Sequence, residues 1–372
     1  DLIDMSRMFY SCTNLERIDI LDFRTNEAED LSNMFRGCKK LISLDASKFN
    51  TKNVKNMMYM FNGCSSLEYL DVSNFDTSEV TNMLSMFEGC EKITSLDVSK
   101  FRTSKVTNFG FMFQNCELLK EINTKNFDTS QTTNLSRMFK YCSSLTSIDV
   151  SHFSTNLAVD LQSMFEGCKL LSSINVVNFE TSKCEDMTGM FRGCESLKSI
   201  DLSNFNTKLV TKMNHMFQGC KNLEALDLRS FDTSNVREMW TILLNCEKIQ
   251  NINFGSNFDT SKLTTMENMF SSCYSLSSLD LSNFITSQVG TMSKMFMGCQ
   301  SLKTLNLNNF NTEQVIDMSY MFQSCNSLTS LNIKSFNTKK VRKMNYMFGN
   351  CNKLSSLDLS NFETSSVNDM SM

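Results

Sequence analysis

Proline is missing altogether from these 372 residues, and glycine occurs only 12 times. Linkers and disordered tracts are usually richer in both, so no stretch marks an interdomain boundary. Histidine occurs twice, as His152 and His215, and there is no Cys-x-x-Cys pair. That removes the common ligand spacing of a zinc site, and no metal ligand or other cofactor is assigned. Basic runs do not stand out: 36 Lys and Arg stand against 40 Asp and Glu, a formal net charge of −4. Sequence-independent binding of nucleic acid would want a positive stripe, so nucleic acid is not an expected partner. No apolar run approaches the roughly 18 residues of a membrane span, and direct membrane insertion is not expected. A signal peptide, a lipidation motif and a sorting signal are also missing.

What is present is a repeat. Met57, Met60, Phe61 and Cys64 recur 26 residues on as Met83, Met86, Phe87 and Cys90, and the pattern runs to Cys351. Aligned on cysteine there are 14 units, every step being 26 except the 27 from Cys246 to Cys273. A period of this size signals a solenoid whose units share one core. Residues 1–372 are therefore expected to form a single solenoid domain. The chain enters and leaves within a unit and shows no polar cap, so it is expected to be a fragment of a longer array.

Within a unit, Met57, Met60, Phe61 and Cys64 lie at i, i+3, i+4 and i+7, which predicts a short helix. Asn56 and its equivalents, such as Asp30 and Asn82, suit the helix start, and Gly37, Gly63 and Gly89 suit its left-handed close. Leu67, Leu70 and Val72 alternate with Asp71 as in a half-buried strand, the strand segment of a leucine-rich repeat. Strands about 4.8 Å apart would build a parallel sheet along the array. Phe and Thr follow two residues apart in all 14 units, as Phe49/Thr51, Phe75/Thr77 and Phe101/Thr103. The phenylalanines suit a stacked internal spine and the threonines a turn, bonding nearby backbone.

The pattern Met-x-x-Met-Phe-x-x-Cys-x-x-Leu-x-x-Leu-Asp-Leu-Ser-x-Phe-Asp-Thr-Ser-x-Val resembles the BspA-like leucine-rich-repeat surface proteins of mycoplasmas and of gut and oral bacteria. The resemblance covers the whole chain. It implies an α/β solenoid, a right-handed coil with one short helix and one parallel strand per repeat. It also implies display on a cell surface or outside the cell, and adhesion to a protein or glycan on a host or neighbouring cell.

Chemistry adds little to that expectation. One cysteine per unit, as at Cys38, Cys64 and Cys90, points sulfur into the core as a buried free thiol rather than a disulfide or metal ligand. The methionine columns read as core. His152 and His215 fall in columns that hold other polar residues elsewhere, and neither is expected beside a nucleophile with an orienting carboxylate. No catalytic residue is assigned, and an enzyme is not expected. The binding candidates are the outward strand column: Asp45, Asp71, Asp97, Asp149, Asp201, Asp227, Asp280 and Asp358. Their stacking raises the possibility of a calcium ion, against which stands local bonding of each carboxylate to backbone and Ser. The extra residue near Gly255, with Trp240 in the same unit, reads as a tolerated bulge or as a bend presenting a contact. Three functions follow: a surface binding protein, a rigid structural spacer or assembly unit, and an intracellular interaction scaffold. The last is suggested by unpaired thiols.

Overall fold

The structure is a computed structural model that describes residues 2–20 and 23–371. Asp1 and Met372, the limits of the expected array, lie outside the described residues. The chain divides into two compact units, Asp1–Lys183 and Cys184–Met372. Each is a leucine-rich-repeat solenoid in which a residue neighbours its equivalents one repeat away.

Named strands are few and short. β1 (Ser43–Asp45) pairs parallel with β2 (Tyr69–Asp71). In the second unit β3 (Ala225–Leu228) pairs with β4 (Asn251–Phe254), and β5 (Thr304–Asn306) with β6 (Ser330–Asn332). The register is one repeat, Leu44 against Leu70 and Leu305 against Leu331. The expected long sheet is thus broken into three two-stranded pieces among the described residues.

The expected helix is not there; no helix occurs among the described residues. The Met-Phe segment is instead a string of turns, and it carries the densest bonding between coils. The N–H groups of Met57, Tyr59, Phe61 and Gly63 donate to the carbonyls of Asn82, Leu84, Met86 and Glu88 in the next coil, at 2.7–3.1 Å. Those of Met60, Asn62 and Cys64 donate back three residues, and that of Met58 donates to Asn56 Oδ1. The carbonyls of Asn56, Met58, Met60 and Asn62 accept from the preceding coil. Every backbone donor from Met57 to Cys64 is therefore paired, half within the coil and half across it. Met292–Gly298 repeats the scheme in the second unit.

Two left-handed residues per coil make this possible, Tyr59 (φ 58°) and Gly63 (φ 72°), each at the third position of a four-residue turn as in type II geometry. The hydrophobic spacing that suggests a helix is met equally by consecutive three-residue bonds. Coil spacing decides between them. Successive Phe35, Phe61, Phe87 and Phe113 rings are 5.6–5.8 Å apart. A helix with its side chains is about 10–12 Å across and does not fit that spacing.

The core between strand and turns is fully closed. Met57, Met60, Phe61, Cys64 and Leu67 each have 0% exposure, as do Met292, Met295, Phe296, Cys299 and Leu302. Where Leu243 interrupts the Met-Phe spine, Phe254 supplies a ring, 6.4 Å from Phe270 and 4.6 Å from Phe258. The extra residue is accommodated beside it at Gly255. A Cβ there would stand 2.5 Å from the Arg229 carbonyl oxygen, so only glycine lets the bulge lie against the preceding coil.

Candidate binding surface

The outward aspartates are fixed by their own turns. Asp45, Asp71, Asp97, Asp149, Asp201, Asp280 and Asp358 each accept, on Oδ1, the N–H of the serine two residues on, at 2.9–3.1 Å. Asp227 accepts the N–H and guanidinium of Arg229 instead. In the same column Asn123, Asn175 and Asn306 hold the same bond. Asp and Asn alternate because the turn uses one acceptor oxygen, which either supplies. Among the described residues no three His, Cys, Asp or Glu side chains are grouped to hold a metal ion.

These bonds lower the carboxyl pKa values of Asp45, Asp97, Asp149, Asp201, Asp280 and Asp358. The Ser99 hydroxyl, then its N–H, holds Asp97 below the ordinary carboxylate value, and the N–H of Ser203 leads for Asp201. A carboxylate with a lowered native pKa stabilises the fold above its unfolded value, near 3.9. That contribution is lost as pH falls through the native value. The midpoint of thermal unfolding should therefore hold steady near neutrality and fall below about pH 4. A flat profile through the acid range would contradict this account of the column.

The ladder residues lie inside. Phe49, Phe75 and Phe101 are buried, with ring centroids 6.2 Å and 6.5 Å apart and nearly parallel planes. The threonines do not bond nearby backbone as expected. Thr51, Thr77 and Thr103 donate to the carbonyls of Asp76, Arg102 and Asp128, 25 residues on. Arg102 N–H and Asp128 N–H return to the hydroxyls of Thr77 and Thr103. Each of these two hydroxyls thus clamps both backbone groups of one residue in the next coil. Cys38, Cys64 and Cys90 donate Sγ–H to the carbonyls of Phe9, Phe35 and Phe61 in the preceding coil.

Thirteen of the fifteen cysteines are buried and none is in a disulfide, Cys12 being exposed and Cys351 intermediate. Burial pushes the thiols of Cys168, Cys220 and Cys299 up to about 12 and that of Cys38 to about 11. Thiolate is the reactive form, so the buried set should resist alkylation. Iodoacetamide near pH 8 is expected to label Cys12 fast, Cys351 slowly and the others only after unfolding. Mass spectrometry of the labelled peptides checks it.

Both histidines are held by neighbouring residues of the array. His152 Nε2 lies 2.8 Å from the Thr124 carbonyl oxygen. His215 Nδ1 lies 2.6 Å from both Thr241 Oγ1 and Gln218 Oε1, and its ring packs edge-on against Trp240. Thr241 is only 5% exposed, so its hydroxyl is closed to a substrate. The strand column itself borders an open groove of about 670 Å³ lined by Leu96, Asp97, Glu121, Asn123 and Asp149.

Two surface features escaped the sequence. One is the first left-handed column, which holds Tyr59, Phe111, Arg137, Lys294, Tyr320 and Tyr346. Arg137 lies 5.0 Å over Phe111, and Tyr320 stacks on Tyr346 at 5.1 Å. No residue preference marks this column, so only the backbone discloses it. The other is the segment Lys339, Lys340, Arg342 and Lys343, all exposed. Its charges were legible, but an even overall balance hid them.

The family described as "Mycoplasma protein of unknown function, DUF285" matches residues 3–120, 85–200, 159–279 and 275–372. The chain belongs to that family. No curated protein matches this DUF285 chain. Among solved structures it is similar to a leucine-rich repeat protein from Bacteroides ovatus, with 17% identity, 92% of this chain and 86% of that one covered, and a TM-score of 0.48. It is similar also to a leucine rich cell surface protein from Faecalibacterium prausnitzii, with 18% identity, coverage of 88% and 79%, and a TM-score of 0.44. A leucine-rich repeat protein from Eubacterium ventriosum gives 15% identity, coverage of 80% and 86%, and a TM-score of 0.37. No helix among the described residues is long and apolar enough to cross a membrane.

Proposed function

We propose that this DUF285 chain is a BspA-like surface protein that adheres without catalysis to a protein or glycan on a host or neighbouring cell. One observation carries the reading. Backbone groups are satisfied within and between coils, so the outward side chains flanking the aspartate column are released from folding duty. Glu68/Tyr69, Thr94/Ser95 and Lys120/Glu121 occupy equivalent positions with unrelated chemistry. Such a frame carries a broad contact surface whose character changes from coil to coil.

The buried thiols do not require a reducing compartment. Burial and raised pKa values protect them from oxidation outside the cell as well.

The test has two parts. Intact cells are shaved with protease and the released peptides identified by mass spectrometry. The purified chain is then applied to immobilised matrix proteins and glycans. Release of these repeats together with saturable binding supports adhesion. Release without binding to any surface favours a spacer, and protection until lysis leaves an intracellular scaffold.

A further inference from the structure

We propose that Lys339, Lys340 and Arg342 form a docking site for an acidic polysaccharide, a chain bearing sulfate or carboxylate groups. The proposal rests on the adhesion reading and names the ligand class for one surface of it. The segment Thr338-Lys-Lys-Val-Arg-Lys places four cations in six residues, the density typical of patches that bind polyanions. Val341 between them is wholly buried and Thr338 is 1% exposed, which pins the strip to the core. Its backbone is tied as well: Val341 N–H donates to Thr338 O, Arg342 N–H to Ile316 O, and Thr338 Oγ1 to Glu363 O. The cations therefore stand on a rigid base, and little ordering is lost when a ligand arrives.

A second observation comes from the equivalent columns of the other unit. There Lys105 meets Glu79, and Lys55 meets Glu29, each at 2.7 Å from a glutamate 26 residues earlier. The residues 26 before Lys340 and Arg342 are Gln314 and Ile316. Lys340 Nζ accordingly bonds the neutral Gln314 Oε1 at 2.8 Å, and Ile316 is 50% exposed beside Arg342. Lys339 and Arg342 make no ion pair among the described residues, whereas Lys343 lies 4.0 Å from Asp317. The carboxylates that neutralise Lys105 and Lys55 are thus replaced at Lys340 and Arg342, and Glu313, one coil before Lys339, makes no ion pair with it, so the positive charge is left for a ligand. Uncompensated Arg and Lys on a fixed frame suit sulfate and carboxylate oxygens. No aromatic face is interleaved between these cations for a base to stack on, which favours a polysaccharide over single-stranded nucleic acid.

Titration calorimetry of the full chain at low salt tests this, with a heparin oligosaccharide, polygalacturonate, neutral dextran and single-stranded DNA as probes. The first two separate sulfate from carboxylate. The expected result is salt-dependent binding of at least one acidic polysaccharide and none of dextran. Binding should weaken about tenfold or more in K339Q/K340Q/R342Q, a loss that exceeds ~1.4 kcal/mol. Q314E/I316E should weaken it too while leaving every cation in place. A control, K52Q/K92Q/K125Q, removes equal charge from exposed lysines of the other unit and should bind as the wild type does. Equal loss in the control, tighter binding of DNA, or no binding of either polysaccharide overturns the site. A chain that adheres to cells yet ignores both polysaccharides loses this proposal and keeps the wider reading.

Discussion

Truncating Phe87 to alanine should destabilise the Asp1–Lys183 unit by about 3–5 kcal/mol, the upper range for large-to-small changes in a core. Phe87 has 0% exposure and lies between Phe61 at 5.7 Å and Phe113 at 5.6 Å, with planes within 8° of both. Most cores recover part of such a loss by collapsing into the cavity. Collapse is hindered here because the coils are held at a set distance by backbone bonds, Ser85, Phe87 and Gly89 donating to Gly110, Met112 and Gln114. The chain itself supplies a comparison at Leu243, where the missing ring is offset by Phe254 packing against Phe258 and Phe270. Phe87→Leu, with no such compensation, should fall well short of the alanine variant. Urea unfolding followed by far-ultraviolet circular dichroism measures both. A loss under about 1 kcal/mol for the alanine variant would mean that the coils relax around the gap.

The register of the array was plain in the sequence, because cysteine and phenylalanine recur at a fixed step and every such column is buried. The strand was legible from Leu70-Asp71-Val72 for the same reason: alternation assigns one face inward. The Met-Phe segment was misleading. Apolar spacing at i, i+3 and i+4 records which residues face inward, and a helix and a turn string bury the same set. What separates them is whether N–H groups bond four residues back or one coil away, and nothing local encodes that choice. Gly63 did announce a left-handed residue, but Tyr59 did not. A bulky residue is held there, at a cost of roughly 1–2 kcal/mol, by bonds to its neighbours in the stack. The aspartate column was visible as a column, and its local bonding to backbone and Ser was weighed against calcium; the structure shows that bonding, Oδ1 accepting the N–H of the serine two residues on. The basic strip at Lys339–Lys343 gains meaning from Gln314 and Ile316, which lie one coil away.

The threonine clamp yields the second large effect. Thr103→Val keeps the shape of a side chain that is 1% exposed and removes its hydroxyl. The Asp128 carbonyl loses its donor at 3.0 Å and the Asp128 N–H its acceptor at 2.7 Å. Leaving such groups unpaired costs about 1–3 kcal/mol, moderated here because Asp128 lies partly in water. Thr103→Ser retains the hydroxyl and should cost well under half as much. Hydrogen exchange separates this from a packing effect: the Asp128 amide should exchange far faster in the valine variant and nearly as slowly as wild type in the serine variant. Equal exchange in both would mean that the methyl group, not the hydroxyl, holds these coils together at this corner. The Phe-Thr corner would then be a second apolar spine, and the recurrence of threonine in all 14 units would need another cause.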